Sequence, residues 1–129
     1  MDKIGKLLPC KPAWTAGSTL PGGDFDPGAF EALVAEIIER WPFLSAPHAK
    51  RLLRAYGRRI EKIVGDAQSL DDLGPRFTGD LTEAEVRYLV AQEWAHTAED
   101  ILWRRSKVGL LATSEETTAI GEFITSLAR

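Results

Sequence analysis

The amino-acid sequence predicts an all-α fold, a single compact domain of about five or six helices behind an extended Pro/Gly-rich arm. Three observations carry that prediction. Apolar residues recur at i, i+3, i+4 and i+7 in successive segments, the spacing of one helix face. Those segments open on capping signatures or an early proline and close on glycine or proline. No stretch of useful length alternates apolar and polar residues; the strongest strand candidate, Val108 to Leu111, is short and contains a glycine.

Residues 1–27 form the arm. Pro9, Pro12, Pro21 and Pro27, with Gly17, Gly22 and Gly23, interrupt both helix and strand there. Leu7, Leu8, Trp14 and Leu20 are too apolar for a solvated tail, so the arm is expected to lie against helices or a partner. Residues 28–129 form the helical domain. Asp26 caps its first helix, with Pro27 at the first position. Phe30, Leu33, Val34, Ile37, Ile38 and Trp41 make one stripe, and Pro42 ends it. A second helix starts near Ser45, with Ala49, Leu52, Leu53 and Tyr56 inward and Gly57 as its stop. A short third helix places Ile60, Ile63 and Val64 inward before Gly65. Ser69 to Asp80, with Gly74, Pro75 and Gly79, reads as a loop tacked down by Leu70, Leu73 and Phe77. Thr82 and Glu85 form a capping box that opens a fourth helix, with Val86, Leu89, Val90 and Trp94 as its buried stripe. Thr97 and Asp100 open a fifth, with Ile101 and Leu102 inward and Gly109 as its stop. Thr113 and Glu116 open the last, with Ile120, Phe123, Ile124 and Leu127 inward.

Composition bounds the chemistry. The chain has 129 residues, 16 Lys/Arg against 19 Asp/Glu, and a net charge of −3. That balance marks no general binder of nucleic acid or membranes. No apolar run approaches a membrane span, and no secretory signal is visible at the start. One cysteine, Cys10, excludes an intrachain disulfide; between prolines and far from any histidine it reads as an incidental thiol. His96, between Glu93 and Asp100, would sit in a metal half-site on a continuous helix, but the cap at Thr97 breaks that helix and leaves a solvated or hydrogen-bonded histidine. His48 lies in a first turn beside a basic run. No Gly-rich phosphate loop, G-x-S-x-G elbow or paired acid–base site occurs.

Charge is uneven along the chain. Residues 1–64 hold ten Lys/Arg and seven Asp/Glu, and residues 65–129 hold six and twelve. Lys50, Arg51, Arg54, Arg58, Arg59 and Lys62 crowd one helix–turn–helix stretch. Such a patch suits phosphates or anionic headgroups, but a solvated face or one docking an acidic partner is the better expectation. Trp103, Arg104 and Arg105 suit either a buried Trp–Arg contact against acidic helices or an interface, and the buried packing is favoured.

One longer pattern is more specific. The run from Leu89 through Glu93-Trp94-Ala95, Thr97, Asp100-Ile101-Leu102-Trp103-Arg104-Arg105-Ser106-Lys107 to Gly109 resembles the C-terminal helical domain of FAD-dependent glycerol-3-phosphate dehydrogenases. So do Pro12-Ala13-Trp14-Thr15 with Leu20-Pro21-Gly22-Gly23, then Trp41-Pro42-Phe43-Leu44, then Arg54-Ala55-Tyr56-Gly57, all in the family's order. Ser106 departs from an expected threonine but keeps the hydroxyl. The resemblance implies a longer parent enzyme that oxidises sn-glycerol 3-phosphate to dihydroxyacetone phosphate, passing electrons through FAD to a quinone. It implies a parent that is cytoplasmic and peripheral on the inner membrane. It assigns no catalytic, FAD-binding or metal-binding residue to this chain, and makes Met1 to Pro9 the tail of the flavin domain's last helix. The domain's role is then to brace the flavin and substrate domains, or to make dimer or anionic membrane-surface contact. Arg51, Arg54, Arg58, Arg59, Trp103, Arg104 and Arg105 are the expected contact residues. The alternative is an independent helical binding module using the basic 50–62 patch for an acidic partner or, less well supported, nucleic acid.

Overall fold

A computed structural model of the chain describes residues 15–127; the expectations for Leu7, Leu8, Cys10 and Trp14 lie outside that range. The fold is mainly helical. Asp26 accepts a hydrogen bond from the Gly28 N–H at 2.8 Å, and a 3₁₀ turn, Pro27–Ala29, runs into helix α1, Phe30–Arg40. Its stripe buries Leu33, Val34, Ile37 and the flanking Trp41, with Phe30 and Ile38 half-buried. Trp41 leaves the helix ahead of Pro42, and its indole N–H donates to the Gly65 carbonyl at 3.2 Å.

Helix α2, Ala46–Tyr56, is capped by Ser45 and buries His48, Ala49, Leu52, Leu53 and Tyr56. A 3₁₀ turn, Gly57–Ile60, joins it to helix α3, Glu61–Val64. At this joint the arm meets the helices. Gly57 has φ 55 and Gly22 has φ 86, and the Arg58 N–H donates to the Gly22 carbonyl at 3.0 Å. A Cβ on Gly57 would collide with the Gly22 carbonyl, and one on Gly22 would collide with the Tyr56 carbonyl. Only two glycines allow these backbones so close. Two of the sequence motifs, Leu20–Gly23 and Arg54–Gly57, therefore touch in space.

The stretch expected to be a loop, Ser69 to Asp80, holds the first of the two strands among the described residues, and the second follows it directly. Strand β1, Arg76–Thr78, pairs antiparallel with β2, Leu81–Thr82, with a register irregularity between Arg76 and Thr78. Val108 to Leu111, set aside as a strand in the sequence, is a turn closed by the Leu111 N–H on the Val108 carbonyl at 2.9 Å. The hairpin is too short to show period two, and three residues of one strand sit beside two of the other. Leu73 and Phe77 do tack the segment down, whereas Leu70 is exposed.

Helix α4, Glu83–Glu93, follows β2 directly, with the Thr82 hydroxyl accepting from the Glu85 N–H at 3.4 Å. Val86 and Leu89 are buried and Val90 half-buried, but Trp94 is 80% exposed. The helix ends at Glu93, and Trp94 turns left-handed at φ 55, which throws its ring off the stripe; Ala95 is buried instead. A capping box with bonds in both directions at Thr97 and Asp100 then opens a π-helix, Asp100–Arg105, whose wider turn shows in the Ser106 N–H bonding the Ile101 carbonyl at 2.9 Å. It ends before Gly109, which lies instead against the Trp103 ring. A second two-way box at Thr113 and Glu116 precedes helix α5, Ser114–Leu127, which buries Ile120 and Ile124.

One core joins these elements. Leu52, Leu53, Ile60, Leu81, Val86, Leu89, Ile101, Leu102 and Ile120 are nearly or wholly sequestered from solvent. Each contributes on the order of 1.5–3 kcal/mol of burial. Substituting Gly57→Ala is expected to cost about 1–3 kcal/mol and to free the arm. Hydrogen exchange at the Arg58 amide, measured with urea unfolding, checks this: protection there should fall before protection in α4 does.

Candidate functional site

The site is built around a buried polar network and the open cleft beside it. Arg51, on the inner side of α2, forms a two-pronged fork with Glu85 of α4: Nη1 to Oε1 and Nη2 to Oε2 are each 2.7 Å. Its Nε lies 2.6 Å from Asp80 Oδ1, at the hairpin turn. The Tyr56 hydroxyl donates to Glu85 Oε1 at 2.6 Å. Glu85 is fully buried, so three short bonds replace its lost hydration. Burial works against the Arg51 guanidinium, but the hydrogen bonds and charge of Glu85, with Asp80, hold its pKa above the ordinary value. Burial, then the charge and hydrogen bond of Glu85, push the Tyr56 phenol well up, so it remains a donor. The capping-box reading of Glu85 is half right: its N–H is capped, while its carboxylate turns inward to Arg51.

His48 sits against this network. It is buried, and its Nε2 has no hydrogen-bond partner among the described residues. Burial lowers its pKa, with Arg51 and Arg76 acting the same way against Asp80 and Glu85. His96, by contrast, is exposed on the non-helical link after α4, and its N–H donates to Asp100. Among the described residues no group of histidine and carboxylates stands in metal-ligand geometry.

The cleft has a volume of about 1160 Å³. Its lining comes from α2 and Arg59, from the end of α4 at Glu93 and Trp94, and from Arg104 through Lys107. It therefore brings together five of the seven residues singled out in the sequence: Arg51, Arg54, Arg59, Arg104 and Arg105. Arg58 lies outside it, 3.9 Å from Glu36. Trp103 also lies outside, and the expected buried Trp–Arg packing is not found: the residue is 52% exposed. Ile101 and Leu102 take the two inward positions of the π-helix, and the next residue faces out. Among the cleft cations, Arg51 is committed to Glu85, Arg104 pairs with Asp100 and Glu99, and Lys50 pairs with Glu31 at 2.9 Å. The hydrogen bond from Arg104, then the N–H of His96 and contacts from Thr97, hold the Asp100 carboxyl well below the usual range. Arg105 donates to the Glu93 carbonyl at 3.0 and 3.1 Å, and Arg54 lies over the Phe30 ring at 5.6 Å. Asp80, Glu85, His48, Glu93, Trp94 and Lys107 are the site residues the sequence reading did not select. Only a long-range pairing of Arg51 with Glu85 could have exposed the network, and no local pattern carries it.

These environments predict unequal costs. Arg51→Met strands a buried carboxylate and is expected to cost about 3–5 kcal/mol, whereas Arg54→Met should cost below about 1 kcal/mol; urea unfolding of both checks this. His48 also sets a sign for pH. Unfolded, it titrates at its ordinary 6.5; folded, its pKa is lower. The unfolded chain binds the proton first, so stability should be complete above that value and decline as pH falls below it. Thermal melts of His48→Gln between about pH 7 and 5 should show a flatter acid limb than the parent chain.

With this geometry in hand, known proteins are informative. The family described as the C-terminal domain of alpha-glycerophosphate oxidase matches residues 13–129. The chain is 43% identical to a D-erythritol 1-phosphate dehydrogenase of Brucella abortus over 85% of its length and 22% of the relative's. It is 40% identical to a glycerol-3-phosphate dehydrogenase of Pseudomonas aeruginosa over 89% of its length, again 22% of the relative's. It is 37% identical to an aerobic glycerol-3-phosphate dehydrogenase of Escherichia coli over 88% of its length and 22% of the relative's. The chain thus spans about a fifth of the length of these relatives. The resemblance read from its motifs is borne out, and the chain belongs to the family of C-terminal domains of alpha-glycerophosphate oxidase.

Proposed function

We propose that this chain is the non-catalytic C-terminal domain of a longer FAD-dependent dehydrogenase that oxidises a linear polyol phosphate and passes electrons to a quinone. The family match across residues 13–129 carries the reading. Glycerol 3-phosphate, giving dihydroxyacetone phosphate, is the substrate favoured by two of the relatives' names. The Brucella relative, named for D-erythritol 1-phosphate, keeps a longer chain of the same chemistry open. FAD does not fit the described residues: they supply no strand–Gly-rich turn–helix unit to cradle a pyrophosphate, and the strands among them form a short hairpin. No flavin step is therefore assigned to this domain. Its work is to brace the flavin and substrate domains. The parent would sit peripherally on the cytoplasmic face of the inner membrane; no helix among the described residues is long and apolar enough to cross it.

A nucleic-acid role has less support. Arg51, Arg104 and Lys50 are turned onto carboxylates and so withdrawn from phosphate contact. The test compares the full coding sequence with the 129-residue chain. The longer protein is expected to carry flavin and to reduce a soluble quinone with glycerol 3-phosphate or erythritol phosphate. The short chain should show neither flavin binding nor turnover. Saturable flavin binding with turnover by the short chain would contradict the proposal.

A further inference from the structure

We infer that the cleft is a docking site for an acidic polypeptide segment carrying an apolar side chain, supplied by the part of the parent polypeptide outside this chain; the inference rests on the reading just given. Three observations carry it.

The first is where backbone strain lies. Among the described residues, two non-glycine residues have positive φ: Trp94 at 55° and Lys107 at 61°. Both line this cleft. The left-handed conformation is unfavourable for a bulky side chain. Trp94 gives the fold little packing in return, since the residue is 80% exposed. A large apolar ring held in a strained conformation at the mouth of a cleft is placed to meet something else.

The second is charge. The lining holds seven Lys/Arg and a single carboxylate, Glu93. Glu93 is held only loosely by cations, with Arg59 at 3.9 Å and Arg105 at 4.0 Å from its oxygens. Arg54 and Lys107 face no carboxylate within ion-pair distance among the described residues. An incoming carboxylate therefore finds two cations without a carboxylate partner, Arg54 and Lys107, and a third, Arg59, only loosely paired with Glu93, while Arg105 stays on the Glu93 carbonyl. A cation would meet repulsion.

The third is size and source. The open cleft, at about 1160 Å³, is larger than a phosphate or a small polyol phosphate needs. The chain's own first 14 residues carry three lysines and one aspartate, the same sign as the cleft, so they are unsuited to it. The relatives extend far beyond the 22% of their length matched here, and that remainder is the source of the segment.

The test is fluorescence anisotropy of labelled peptides titrated with the 129-residue chain. A peptide of alternating glutamate and leucine is expected to bind more tightly than one of glutamate and serine, and a lysine–leucine peptide is expected not to bind. Reversing two charges, with Arg54→Glu and Lys107→Glu, should weaken the glutamate–leucine peptide about tenfold or more. Trp94→Gly should weaken it several-fold while leaving unfolding stability equal or higher, because glycine relieves the left-handed strain. That split separates docking from a structural role, which would lower stability and leave binding alone. No binding of the glutamate–leucine peptide, or equal binding of the lysine–leucine peptide, overturns the inference. Displacement by inorganic phosphate at matched ionic strength overturns it in favour of a small-anion site. Preferential binding to phosphatidylglycerol vesicles overturns it in favour of a membrane surface. Absent turnover in the longer protein would overturn the enzymatic reading alone, and peptide binding by the short chain would be unaffected.

Discussion

The fork between Arg51 and Glu85 is the constraint on which the rest of the domain depends. Glu85 has no access to solvent, and an ionised carboxylate in that position is tolerable only with its oxygens fully engaged. Arg51 engages both, Tyr56 adds a third bond, and Arg51 also reaches Asp80 at the hairpin turn. Helix α2 is thereby fixed to two neighbouring segments 29 and 34 positions further on, the turn between the strands and the first turn of α4. Apolar packing around Leu52, Val86 and Leu89 adds burial energy between these elements but is nondirectional. The fork adds a register, because a two-pronged contact at 2.7 Å tolerates little sliding of one helix along the other.

The cleft follows from that arrangement. With α2 and α4 held by Arg51 and Glu85, the next turn of α2 presents Arg54 outward, and the end of α4 presents Glu93 and Trp94 at the same opening. The π-helix completes it by returning Arg105 to the Glu93 carbonyl. One basic residue of the patch is thus structural, while its neighbours one turn away face the opening. Strain is distributed in the same sense. The glycines at 22 and 57 relieve it where the arm crosses α2, and Trp94 and Lys107 retain it where the cleft opens. A sequence selected only for stability would place glycine or asparagine at those two positions.

Most of the helical framework was legible in the sequence because helix periodicity and caps are local. The stripe of α1, the Ser45 cap and both two-way capping boxes could be read from residues a few positions apart. The failures share a cause. The carboxylate of Glu85 looks like a capping group until Arg51, 34 positions away, is brought beside it. Trp94 continues the apolar spacing of α4, but the backbone turns left-handed at that residue and the periodicity ceases to apply. The hairpin at Arg76–Thr82 is too short to alternate. Trp103 looked like a core residue by type, yet two inward neighbours had already used the buried face of the π-helix. The basic patch was visible as composition, but which cations remain free is a property of tertiary pairing.

The most direct measurement is a double-mutant cycle on the fork, with Arg51→Met, Glu85→Leu and the pair together, each followed by urea unfolding. If the fork sets the domain's architecture as described, each single substitution is strongly destabilising and the double substitution costs clearly less than their sum, with a coupling of about 1.5 kcal/mol or more. Additive losses, or a coupling near zero, would contradict the account and leave apolar packing as the sole organiser of the fold.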